Sequence, residues 1–331
     1  MARYLITGGA GFIGSHLVEA LLARGDGDEV AVLDSLSTGR LSNLEAVRDH
    51  PAFSFTQGSV LDELAVDQAV RDCDVVVHLA AAVGVKLIVE QPLYSLTTNI
   101  RGAICVLEAA HRYRRKVMVA SSSEIYGKNN ADALNETSDR ILGSPAVARW
   151  AYSTSKAVDE ILAYAYHRER GMPTIVVRLF NTVGPRQSPA YGMVIPRFVR
   201  QALSGEPLSV YGDGSQTRCF CHVSDVVDAL VRLLDEPGAE GDVFNVGSSE
   251  EISIEQLAKL VITRTGSSSK LVHLPYDVAY EAGFEDMARR VPDVAKVREL
   301  TGWRAKRRLV DVLDDVIAEV RAEYALARDT Y

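Results

Sequence analysis

Arg3-Tyr4-Leu5-Ile6-Thr7-Gly8-Gly9-Ala10-Gly11-Phe12-Ile13-Gly14 runs from an apolar segment through spaced glycines into the start of a second apolar segment. Its first five residues read as a short buried strand. An apolar-periodic run through Phe12, Ile13, Leu17, Val18, Leu21 and Leu22 reads as a helix directly afterwards. Between them glycines stand at 8, 11 and 14, a G-x-x-G-x-x-G spacing. Gly8 permits a tight turn, Gly11 lets the backbone approach a pyrophosphate, and Gly14 lets the helix lie close to the strand. The helix N-terminus then offers its open N–H groups, those of Phe12 and Ile13 among them, and the positive end of its dipole to that anion. A second strand, Val30-Ala31-Val32-Leu33-Asp34, ends on a carboxylate twenty positions beyond Gly14, the context that a dinucleotide-binding fingerprint requires. Asp34 at a strand tip accepts hydrogen bonds from both ribose hydroxyls and repels a 2′-phosphate, which predicts NAD as cofactor. Arg40 nearby keeps NADP open.

Outward from this unit, strand and helix patterns alternate. Phe53 to Phe55 reads as a strand, Leu61 to Val70 as a helix and Val75 to Ala80 as a strand. A long helix from Leu93 to Tyr113, a strand from Lys116 to Ser121, a helix from Tyr152 to Arg170 and a strand from Thr174 to Leu179 follow. Such alternation predicts an α/β fold, a doubly wound parallel sheet of the Rossmann type. From Gly184 the texture changes: Pro185, Pro189, Pro196 and Pro207 break the pattern, and helices are expected over Val223–Leu234, Ile254–Thr263 and Arg307–Leu326. The expected division is a dinucleotide-binding domain over 1–180 and a smaller, interleaved C-terminal α/β substrate domain over 181–331. The segment Asn129–Arg149 lacks periodicity and is expected to form a loop over the active site.

The chain has 331 residues, 47% of them hydrophobic, enough for a substantial core. With 36 Lys and Arg against 44 Asp and Glu the formal charge is −8, and no basic run offers a nucleic-acid footprint. Cys73, Cys105, Cys219 and Cys221 form no disulfide framework and no zinc-ligand pattern, so no metal is expected and a reducing, cytoplasmic setting is. No apolar run approaches the length of a membrane span, and with the first strand beginning at Tyr4 no signal peptide is expected.

Tyr152-Ser153-Thr154-Ser155-Lys156 is Y-x-x-x-K, and on a helix those two side chains share a face. The ammonium is expected to lower the phenol pKa from about 10 toward neutrality, so that the tyrosinate serves as a base. The run Ser121-Ser122-Ser123-Glu124-Ile125-Tyr126-Gly127 follows directly on the strand Val117–Ala120. Hydroxyls and a carboxylate at the C-terminal end of a central strand lie where open α/β sheets hold ligands; serines there also serve as N-caps. Tyr152, Lys156, Ser122, Ser123 and Glu124 are the candidate catalytic residues.

With these residues quoted, the chain resembles the extended short-chain dehydrogenase/reductases, in their nucleotide-sugar epimerase, dehydratase and decarboxylase branch. The resemblance spans nearly the whole chain. It adds His78-Leu79-Ala80-Ala81, Asn99, Arg178-Leu179-Phe180-Asn181-Thr182-Val183-Gly184-Pro185-Arg186, Val194-Ile195-Pro196, Tyr211-Gly212-Asp213-Gly214-Ser215-Gln216-Thr217-Arg218 and Phe244-Asn245-Val246-Gly247. It implies that Tyr152 takes the proton of the sugar 4-hydroxyl while NAD takes the C4 hydride. Ser122 would share the hydrogen bond, and Lys156 would hold the nicotinamide ribose. Leu79, Ala80 and Asn99 join Gly8, Gly11, Phe12, Ile13, Gly14 and Asp34 as implied cofactor contacts. Asn181, Val194, Arg197, Tyr211, Arg218 and Arg290 are the implied contacts of a UDP-sugar. A homodimer is also implied, and the outer faces of the 93–113 and 152–170 helices, through Ile100, Ile104, Leu107, Ile161, Leu162 and Tyr166, are expected to form it.

Members of this branch diverge after the 4-keto sugar. A plain 4-epimerase, acting on UDP-glucose or UDP-glucuronate, has no need of Glu124. The dTDP-glucose 4,6-dehydratases carry an Asp where this chain has Ser123, although GDP-mannose dehydratases have a hydroxyl-type residue there. A UDP-glucuronate decarboxylase needs less machinery, because the 4-ketone turns its substrate into a β-keto acid. The hydroxyl–Ser–Glu run and the Arg of Gln216-Thr217-Arg218 resemble the pattern of these UDP-xylose synthases, which implies UDP-4-keto-xylose or UDP-xylose as product. Lys86 or Glu90, in a segment more like an epimerase loop, is a further candidate for a substrate role. A non-enzymatic dinucleotide sensor is the remaining alternative, disfavoured because Tyr152 and Lys156 are both kept.

Overall fold

The computed structural model describes residues 1–188, 193–275, 287 and 289–329, the side chains of 85, 86 and 327–329 excepted. Seven parallel strands make one sheet: β1 (Arg3–Thr7), β2 (Glu29–Asp34), β3 (Phe53–Gln57), β4 (Val75–His78), β5 (Lys116–Ser122), β6 (Thr174–Leu179) and β7 (Asp242–Val246). Their spatial order is β3-β2-β1-β4-β5-β6-β7. The chain winds one way from β1 and then returns to β4 on the other side, so the crevice at the switch point opens at the C-terminal ends of β1 and β4.

The strands alternate their side chains between two apolar layers, as the period of two dictates. Ile6, Val32, Val77, Met118 and Val177 face α1 (Phe12–Ala23), with α7 (Val223–Asp235) on the same side. Leu5, Leu33, Val76, Val117 and Val176 face the layer of α2 (Glu63–Arg71), α4 (Pro92–Tyr113) and α5 (Arg149–Arg170). Both faces being covered explains why these strands read as continuous apolar runs. A second core, around Phe198, Val210, Leu257 and Val312, joins α6 (Val194–Leu203), α8 (Ile254–Thr265) and α10 (Leu309–Asp329) to a parallel pair, Leu208–Tyr211 with Leu271–Leu274. Short helices α3 (Val85–Glu90) and α9 (Ala295–Thr301) complete the set used below.

Local chemistry sets the boundaries. The Asp62 carboxylate accepts from the Leu64 and Ala65 amides at 3.1 Å, so α2 starts at Glu63 rather than at Leu61. Ser253 and Gln256 form a reciprocal capping box that starts α8.

Three expectations shift. The terminal helix begins at Leu309, not Arg307. Leu107 is fully buried against the sheet and so is no part of an outer face. The unpatterned 129–148 segment does not cover the site. It runs behind it, where the Leu134 amide and carbonyl pair with the Val291 carbonyl and Asp293 amide at 2.9 and 2.8 Å, and Glu136 accepts from the Asn245 amide at 2.8 Å. Leu134 is buried there, so the segment is held by backbone pairing that leaves no apolar period to read. The sheet also takes β7 from well beyond residue 181, and α7 returns to cover the same face as α1.

Candidate active site

A cleft of about 1290 Å³ runs along the C-terminal edge of the sheet and on between α6, α10 and the turn that follows β5. At one end the glycine loop enters it. Gly8 has φ +75°, and a Cβ there would lie 2.7 Å from the Ala80 amide nitrogen. A Cβ on Gly14 would lie 2.3 Å from the Gly8 carbonyl oxygen, which is why helix and loop touch only through glycine. The N-cap of α1, Gly11, supplies no capping side chain, and Gly11 to Gly14 line the cleft with their amide end. Asp34 lines it too, its carboxylate held by the Ala10 amide at 2.9 Å and the Leu36 amide at 2.8 Å. Leu79 and Ala80 continue the wall, and Arg40 lies at the Asp34 end. An uncapped helix N-terminus facing a cradle that any Cβ would fill, with a fixed carboxylate beside it, fits a dinucleotide.

At the centre, β5 ends on Ser122, whose hydroxyl accepts from the Glu124 amide at 3.2 Å and hydrogen-bonds the Tyr152 phenol. Ser123 is buried and lines the cleft beside it. Lys156, one turn beyond Tyr152 on α5, is buried and paired with Asp159 at 3.1 Å. Burial would discharge the Lys156 ammonium, but the Asp159 carboxylate overrides it and keeps the amine above its ordinary range. Burial pushes the Tyr152 phenol up, and Lys156 opposes that without overcoming it, while Glu124 and Asp159 add to the rise. The lowered phenol expected from the Tyr–Lys spacing is therefore not what the free protein has: desolvation outweighs the ammonium.

Beyond Tyr152 stands a charged cluster. Arg290 donates to Glu124 Oε1 at 2.6 Å and Arg149 approaches both Glu124 oxygens at 3.4 Å. Burial alone would raise the Glu124 carboxyl; Arg149, Arg290 and Arg218 together hold it down at about 2. Arg290 also donates to the Asn181 side-chain oxygen Oδ1 at 3.2 Å, and the Asn181 side-chain amide Nδ2 donates to the Cys219 backbone carbonyl at 2.8 Å. Val194, Arg197, Tyr211 and Arg218 line the far end, with the Arg197 guanidinium stacked 4.2 Å over the Tyr211 ring.

Of the residues singled out from sequence, Asn99 and Glu90 do not line the cleft. Asn99 is buried behind it, accepting from the Ala82 amide at 2.7 Å and donating to Ser155 at 3.2 Å, so it braces the β4 loop against α5. Glu90 is the exposed last residue of α3, and the Lys86 side chain lies outside the described residues. Sequence reasoning missed Arg149. Its signal was its position three residues before Tyr152, hence on the same helix face. It also missed Arg186, which lines the cleft and bridges to Glu19 at 2.6 Å from a left-handed backbone at φ 69°.

A phenol on a helix, a hydroxyl bonded to it, an anion cradle and arginines around one carboxylate make a site for proton exchange beside a bound anion. The model of the NAD dependent epimerase/dehydratase family matches residues 4–247. The chain belongs to this family. A UDP-N-acetyl-alpha-D-glucosaminuronate decarboxylase of Bacillus cytotoxicus is 42% identical over 90% of this chain and 91% of its own. UDP-glucuronic acid decarboxylase 1 of Xenopus tropicalis is 36% identical, over 97% of this chain and 72% of its own. Among solved structures, the dTDP-glucose 4,6-dehydratase DesIV of Streptomyces venezuelae, with NAD bound, superposes with a TM-score of 0.89 at 30% identity, over 98% of each chain.

Proposed function

We propose that this family member is an NAD-dependent decarboxylase of a UDP-uronate, with UDP-glucuronate as substrate and UDP-4-keto-xylose or UDP-xylose as product. The observation that carries the reading is Glu124, ion-paired with Arg290 and Arg149 beside the Tyr152 phenol. Two guanidiniums on one carboxylate leave one positive charge, which suits a substrate carboxylate next to the reacting carbon, while Arg218 answers the diphosphate that every UDP-sugar carries.

Residues 1–180 would carry the cofactor and 181–331 the nucleotide sugar. Gly8, Gly11 and Gly14 with the α1 amides would hold the cofactor diphosphate, and Asp34 its ribose hydroxyls. NAD, when bound, supplies a hydride acceptor at C4 that later gives the hydride back. Tyr152 takes the 4-hydroxyl proton, Ser122 holds the same oxygen, and Lys156 offsets the phenolate charge. At the 4-keto stage the bond from C5 to the carboxylate breaks, carbon dioxide leaves, and the electron pair passes to the C4 oxygen. Ser122 and Tyr152 are positioned to stabilise that oxygen. Glu124 keeps the arginine cluster oriented and sets the charge against which the substrate carboxylate sits. Val194, Arg197, Tyr211, Arg218 and Asn181 would grip the UDP.

Incubation with UDP-glucuronate, and separately with its 2-acetamido analogue, tests the reading by mass spectrometry. Loss of carbon dioxide supports it. Unchanged mass identifies a 4-epimerase, and loss of water from a neutral hexose nucleotide identifies a 4,6-dehydratase.

The protein would act as a homodimer in the cytoplasm. Leu93 on α4 (77% exposed) and Ile161 on α5 (62% exposed) are apolar side chains at the surface, suited to an isologous contact. The four cysteines are free thiols, as a reducing compartment keeps them. No helix among the described residues is long and apolar enough to cross a membrane.

A further inference from the structure

Two acidic residues stand side by side on α5, and they are treated differently. Glu160 is fully engaged: Arg178 donates to its oxygens at 2.9 and 2.7 Å, and the Ser121 hydroxyl donates at 2.5 Å. Asp159 is buried just as completely, yet it has one partner. Its Oδ2 meets the Lys156 ammonium at 3.1 Å, and its Oδ1 has no hydrogen-bond partner among the described residues. A carboxylate kept for packing or stability would be satisfied as Glu160 is; half-satisfied buried carboxylates are costly and occur where the charge itself is used.

We infer that Asp159 is a positioning residue for the base: it holds Lys156 by its side as an ammonium, so that the positive charge beside Tyr152 persists in a buried place. Asp159 does not line the cleft, so it acts only through Lys156. The inference rests on the reading of Tyr152 as the base. The charged groups facing the pair come from several elements. Arg149, Lys156 and Glu160 belong to α5, and Glu124 projects from the turn after β5. His78 on β4 stays neutral, burial and then Lys156 holding it down at about 3. Of these, Lys156 and Glu160 act on Asp159, and Lys156, Glu124 and Asp159 act on Tyr152. Without Asp159, burial discharges the Lys156 ammonium, and the phenol, losing the positive charge beside it, ionises at higher pH. With it, Lys156 stays charged between its helix neighbour and the reacting end of the cleft.

The test is the pH profile of kcat/KM in the holoenzyme. Asp159→Asn removes the charge and keeps the shape. The acidic limb is expected to move up by about 0.5–1 pH unit. Asp159→Glu keeps the charge, and its limb is expected to stay near that of the wild type. Asp159→Ser, small and neutral, is carried alongside in case the Asn variant fails to fold. A folded neutral variant whose limb stays at the wild-type pH overturns the inference. If neither neutral variant folds, Asp159→Glu decides: a limb displaced from that of the wild type overturns the inference. Tyr152→Phe also separates the two readings, since near-normal turnover in that variant removes Tyr152 as base and leaves Asp159 nothing to act upon.

Discussion

Arg290 and Glu124, 166 residues apart in the chain, meet across the cleft at 2.6 Å. The arginine comes from the segment before α9 and the carboxylate from the turn after β5, so the pair ties the C-terminal part of the chain to the sheet. It also places the densest charge of the cleft next to the Tyr152 phenol.

Tyr152→Phe deletes the phenol oxygen that Ser122 bonds and keeps the ring. Turnover should fall by about 10²–10⁴-fold with little change in KM, as expected for loss of a general base. Steady-state kinetics with the substrate that loses carbon dioxide measures both numbers.

Glu124→Gln keeps shape and removes the charge that Arg149 and Arg290 share. A decarboxylase should lose turnover by more than ~10-fold, because the arginines are then free to rearrange around the substrate carboxylate. A simple 4-epimerase would be nearly indifferent to the change.

The same substitution gives a pH test of stability. The folded-state pKa of Glu124, about 2, lies below the ordinary 4.5, so its charge stabilises the fold above 4.5 and that contribution is lost as pH falls toward 2. The Tm advantage of the wild type over Glu124→Gln should be flat across neutral pH and shrink through that acidic window. An advantage unchanged by acid would contradict the arginine clustering.

Gly14→Ala places a methyl group 2.3 Å from the Gly8 carbonyl oxygen, backbone against backbone. The loop must shift, at a cost of about 1–3 kcal/mol, and the purified variant should retain much less NAD. Denaturation followed by nucleotide chromatography reads the retained cofactor.

Ile161→Glu puts a charge in place of an exposed apolar side chain of α5. Light scattering should report a dimer for the wild type and a monomer for the variant, with the secondary structure unchanged.

Much of the frame was legible because it is written locally. β1 and β6 lie at Arg3–Thr7 and Thr174–Leu179, where apolar run, glycine and polar residues punctuate the chain. The start of α5 was not legible. Its N-cap is Ala148, with no side-chain cap, so no Ser or Asp announces the helix and Arg149 stays hidden in an apparently patternless stretch. Asn99 was misjudged for another reason: a buried amide on a helix satisfies neighbouring backbone or a ligand equally well, and only the Ala82 contacts tell which. The Tyr152 phenol was misjudged because spacing shows the ammonium that lowers its pKa and not the burial that raises it further.

The edge position of β7 bears on how this chain comes off the ribosome. Asp242 pairs with Ile175, so β6 waits for its neighbour until the intervening residues have been synthesised. Until then Thr174-Ile-Val-Val-Arg-Leu179 is an open edge strand, and Leu17, Val18 and Leu21 of α1 lack the cover that α7 brings. A fragment stopped near residue 180 would thus present a sticky strand and a bare helix face rather than a free-standing half-enzyme. Expression of such a fragment should yield aggregate, and synthesis slowed between β6 and β7 should raise the demand for chaperones.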